Sequence, residues 1–103
     1  MITNTQDITT ITTDKRISLY CPIGKDYYTA DIKIVFHPDK LYMDYIELDK
    51  FLNMLSGFSY TIEDVAKRIY DHLQIYSPLA TKVEIEAHSN SHMHVTVTKG
   101  DVV

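Results

Sequence analysis

At 103 residues, with 45% hydrophobic residues, 23% charged residues and a formal net charge of −4, the chain has room for one domain and lacks the basic excess of a dedicated nucleic-acid binder. Its apolar runs stop far short of the roughly 20 residues that cross a bilayer, so no membrane partner is expected, and Met1–Asp7 has neither the basic nor the apolar stretch of a secretory signal. A single cysteine, Cys21, cannot close an internal disulfide, which fits a reducing cytoplasm.

Residues 1–14 are rich in threonine and β-branched side chains, a composition that suits a strand or an extended arm. Arg16–Tyr20 continues the extended reading up to Cys21-Pro22, where proline removes a backbone donor and ends the strand. From Thr29 the pattern alternates, with Ala30, Ile32, Ile34 and Phe36 on one face, until Pro38-Asp39 stops it.

Two helices follow. Leu48, Phe51, Leu52 and Leu55 are spaced as one helical face, and Gly57 is placed to terminate it. Thr61 reads as an N-cap with Asp64 three residues on, and Ile62, Val65, Ala66, Ile69 and Leu73 form the stripe of a second helix closed by Ser77-Pro78. Residues 82–88 and 93–98 alternate strictly, and Ser89–His92 between them reads as a hairpin loop.

The order β-β-α-α-β-β predicts an α+β protein, an antiparallel four-stranded sheet with both helices on one face. Such a sheet leaves open edges. Lys82, Glu84 and Glu86 are charges that discourage random pairing there, and closure with further copies into a barrel removes the edges altogether. Eight tyrosines and three phenylalanines on so small a domain also favour a homo-oligomer.

Cys21 is the first candidate for chemistry. On composition alone a lone cysteine is more often a small buried hydrophobe than a nucleophile, and reactivity needs a thiolate, which Lys25 is close enough in sequence to favour. Glu63 has two readings as well, an acidic residue suited to the first turn of any helix or a bidentate acceptor for an N–H edge.

The string around these residues adds to that reading. Cys21-Pro22-Ile23, then Ala30–Ile34, then Pro38-Asp39-Lys40, resembles the signature of the 7-cyano-7-deazaguanine reductase family, with Glu63 at the position of its substrate-binding glutamate and Leu73 ten residues on. The likeness runs over roughly residues 15–75 without an insertion. It implies the tunnel fold, whose subunit order is the one read above, oligomers with active sites at subunit interfaces, and a Cys21 thioimide formed on the nitrile of 7-cyano-7-deazaguanine.

The reductases' two cofactor-binding lysines fall at Ile46 and Asp49, a hydrocarbon and a carboxylate that would repel a phosphate-bearing nicotinamide. No cofactor is therefore expected. A shorter branch, the archaeal QueF-like amidinotransferases, also lacks the motif and is similar in length, in Cys-Pro-Ile and at Gly57. It implies ammonia as second substrate and the amidine of archaeosine in tRNA as product. The alternatives are a reductase-like enzyme on the free base and a tunnel-fold binding protein without catalysis.

Two positions depart from the family. Its proton-transferring aspartate is replaced by Tyr28, and its histidine before the glutamate by Ile62. Asp26, two residues before Tyr28 and on the same side of an extended segment, is the expected proton donor, ahead of Tyr28. Tyr20, Tyr27 and Tyr28 flank Cys21 as stacking platforms or as interface cover. His88, His92 and His94 have a spacing that can ligate a metal. GTP cyclohydrolase I, a related family similar over Val83–His88, holds zinc partly from this region, but the favoured reading is a solvated polar hairpin with no metal. His37 and His72 read as surface residues, and Met43, Met54 and Met93 as core or interface filler.

Overall fold

The computed structural model describes residues 1–88 and 94–102, so His92 and Met93 of the expected loop and strand lie outside the described residues. Among the described residues, six strands and two helices follow in the order β1 (Ile2–Thr3), β2 (Ile11–Cys21), β3 (Asp26–His37), β4 (Leu41–Tyr42), α1 (Tyr45–Leu55), α2 (Ile62–Gln74), β5 (Ala80–His88) and β6 (His94–Gly100). The four long strands form one antiparallel sheet in the order β2-β3-β5-β6. The short β1 and β4 pair separately, Ile2 with Tyr42 and Thr3 with Leu41.

Period two sorts β2, β3 and β5. Ile17 and Leu19 of β2, Ala30, Ile32, Ile34 and Phe36 of β3, and Val83 and Ile85 of β5 are all buried on one face. Both helices cover that face, α1 through Leu48, Leu52 and Leu55 and α2 through Val65, Ala66, Ile69 and Leu73. The other face carries charge: Arg16 faces Asp31 across the β2–β3 ladder, and Asp31 faces Glu86 across β3–β5.

Two glycines are required by the backbone. Gly57 leaves α1 with φ +84°, the left-handed exit the sequence predicted. Gly100 has φ +86°, and a Cβ there would lie 2.0 Å from the Thr81 carbonyl oxygen, so no other residue fits.

Several expectations are corrected. Strand β3 begins at Asp26, three residues before the alternation was evident, because the hairpin partner β2 extends it past Tyr27 and Tyr28. Lys82, Glu84 and Glu86 do not guard an edge, since β5 is paired on both sides; the open edges are those of β2 and β6. His72 is half-buried and stacks on Phe51 at 3.8 Å between ring centroids, and burial lowers its pKa. Of the methionines expected as core or interface filler, Met43 is core and Met54 is exposed.

Candidate active site

The ends of elements meet at Cys21. It is the last residue of β2 and sits opposite Asp26, the first of β3, in the ladder. The intervening turn, residues 22–25, closes when the Lys25 N–H donates to the Cys21 carbonyl at 2.8 Å, with Lys25 at φ +54°. The same turn brings the Gly24 N–H to 3.4 Å from the Cys21 Sγ. That amide is a backbone donor beside sulfur, and it would solvate negative charge that builds there.

Odd positions of β2 face the helices, so Cys21 continues the line of Ile17 and Leu19 and emerges, half-buried, where the core ends. On β3 the same alternation puts Asp26 and Tyr28 on that side. Asp26 is exposed, and its carboxylate accepts the Tyr27 N–H at 2.8 Å. The half-buried Tyr28 hydroxyl donates to the Tyr60 carbonyl at 2.7 Å. Burial, then the negative potential of Cys21, Glu63 and Asp64, pushes the phenol up to about 12. Tyr28 is therefore a neutral donor throughout the physiological range.

Helix α2 supplies its start. Thr61 caps it by accepting the Asp64 N–H at 3.2 Å, which leaves Glu63 exposed in the first turn. The segment entering this helix is bound to the end of β2: Gly57 N–H donates to Ser18, Tyr20 N–H to Phe58, and Tyr60 N–H to Tyr20, at 3.0, 3.3 and 3.1 Å. Residues 57–60 thus run alongside the last turn of β2 and hold the helix start next to Cys21.

These parts enclose a mostly apolar cleft of about 490 Å³. Cys21, Asp26, Tyr28 and Glu63, the four residues singled out from the sequence, all line it, with Ile62, Ala87 and Val95 as apolar wall. Sequence reasoning missed Ala87 and Val95, which come from the distant β5–β6 pair, and the Tyr60 carbonyl. A larger cavity of about 590 Å³ lies on the helix surface beside the Lys67–Asp71 ion pair and the Phe51–His72 stack, but neither a thiol nor a hydroxyl lines it. At the two cofactor-lysine positions, Ile46 is half exposed and Asp49 is already paired with Lys15 at 2.5 Å.

The arrangement offers a soft nucleophile, a carboxylate across the turn, a neutral phenol and a second carboxylate at the opening of a helix.

No family model matches the chain, and no curated protein does. Among solved structures, the crystal structure of the archaeosine synthase QueF-Like in the apo form superposes with a TM-score of 0.84 at 17% sequence identity, covering 92% of this chain and 95% of that one. A likeness of that extent establishes the fold, and the chain has the tunnel fold of that protein.

Proposed function

We propose that this chain is an amidinotransferase of the archaeosine-synthase type, acting on the nitrile of 7-cyano-7-deazaguanine in tRNA with ammonia as second substrate. The observation that carries the reading is the convergence of Cys21, Asp26 and Glu63 on one cleft in a fold shared with a protein of that description. Sulfur attacks the nitrile carbon, a C–S bond forms, and one π pair moves to nitrogen, which takes a proton to give a thioimide. Ammonia then adds to the same carbon, and the C–S bond breaks to return the thiolate and release the amidine. No electrons are exchanged, so no redox cofactor is needed.

Glu63 accepts from the N–H edge of the base. Asp26, opposite Cys21 in the ladder, handles the proton, because the Tyr28 hydroxyl is committed to Tyr60 and is too weak an acid. Copies of the chain assemble along the open sheet edges into a barrel, which gathers the lysines and arginines needed to hold tRNA on an acidic protein.

The test is incubation with 7-cyano-7-deazaguanine followed by intact mass. A covalent adduct in the parent and none in Cys21→Ser is expected, and amidine should form on adding ammonia to substrate tRNA but not on adding NADPH. An unmodified parent mass would leave a binding protein in place of the enzyme.

A further inference from the structure

The charged face of the sheet carries a second constellation, on the opposite side of the strands from the cleft. His88 and His94 are directly opposite each other across the β5–β6 ladder, and Glu86 lies two residues before His88 on the same face. Their rings meet edge to face at 4.4 Å between centroids. One nitrogen of each ring and one Glu86 oxygen lie within 4.8 Å of one another, and the His94 Nδ1 is 3.1 Å from the Glu86 Oε1. Ligands of a tetrahedral zinc ion at about 2.0–2.1 Å stand roughly 3.4 Å apart, so only small side-chain shifts separate this cluster from a coordination shell.

The cluster is tied into the rest of the sheet. The His88 Nε2 that lies 3.7 Å from the Glu86 Oε1 also lies 2.8 Å from the Asp31 Oδ2, and Arg16 in turn holds Asp31 through two hydrogen bonds of 2.6 and 3.1 Å. An ion taken up through that nitrogen exchanges the Asp31 contact for the metal.

We propose that Glu86, His88 and His94 bind a divalent transition metal, zinc being the best fit to two imidazoles and one carboxylate. The ion joins β5 to β6, and its fourth position opens to solvent on the side of the exposed His94. Residues 86, 88 and 94 face away from the helices, whereas Ala87 and Val95 line the Cys21 cleft. The site is therefore independent of the proposed amidine chemistry.

Zinc titration of the full chain by calorimetry, in a buffer that does not chelate, tests this. One ion per chain is expected, with affinity reduced at least tenfold in His94→Ala, a variant at an exposed position that does not disturb the core. Cobalt(II) in place of zinc should give the visible spectrum of a four-coordinate site. Cys21→Ser and His37→Ala should bind as the parent does. Equal affinity in the parent and His94→Ala, or loss of binding in Cys21→Ser, overturns the proposal.

Discussion

The two faces of the sheet are built from the same strands, yet they concentrate opposite kinds of chemistry. On the helix side, side chains one ladder apart are buried without charge until the strands run out, and the reactive groups appear at that boundary around Cys21. On the other side, Arg16, Asp31, Glu86, His88 and His94 form a chain of paired polar and charged groups across four strands, open to solvent. The contrast teaches that the core positions the cleft, whereas the charged face is set by cross-strand partners alone. Removing a core residue should therefore disturb both regions, and removing a surface charge should disturb one.

Leu19→Ala gives the largest effect on this comparison. Leu19 is fully buried two residues before Cys21, and its truncation should cost about 2–5 kcal/mol in chemical denaturation. A cost below 1 kcal/mol would mean that the cleft does not lean on the core. Glu63→Gln comes next: binding of the base should weaken by about 1.5–3 kcal/mol, the scale of hydrogen bonds to a charged partner. If titration shows unchanged affinity and only the melting temperature moves, Glu63 is a helix-start residue.

Tyr28 sharpens the contrast through pH. Its folded pKa lies above its unfolded value near 10, so the unfolded chain releases this proton first and stability falls between about pH 10 and pH 12. Below pH 10 the contribution is fully present. In an ultraviolet titration, Tyr28→Phe should remove the most alkaline phenol transition, and persistence of that transition would place the buried hydroxyl elsewhere. The smallest effect belongs to Arg16→Ala. Asp31 is held below the usual carboxylate range, chiefly by its hydrogen bond to Arg16, but the pair is solvated. Any drop in melting temperature should vanish in about 1 M salt, where the Debye length is about 3 Å.

Much of this architecture is legible in the chain because it rests on periodicity. Ala30, Ile32, Ile34 and Phe36 alternate and are buried together, and the α2 stripe behaves likewise from Val65 to Leu73. The Thr61 cap is visible because its partner is three residues away. What escaped is non-local. The pairing of Ile2–Thr3 with Leu41–Tyr42 involves two residues on each side, too few to show a period. Residues 57–60 dock on β2 through main-chain groups that any sequence supplies. His88 and His94 read as a solvated hairpin because nothing local reveals that Asp31, 57 residues earlier, stands behind His88. The cleft was read as four residues, and its apolar wall, Ala87 and Val95, could be placed only by the β3–β5–β6 register.

The docking of residues 57–60 also divides the free edge of β2. At the Cys21 end, Ser18 and Tyr20 already have main-chain partners, while Thr12, Asp14 and Arg16 turn the same alternating groups outward. On this edge, a strand arriving from another molecule can pair only with that open stretch, and Phe58 stands where it would otherwise slide on toward Cys21. The inter-helix segment thus works as an end-stop, limiting an incoming chain to one direction of travel and keeping the mouth of the cleft clear of it.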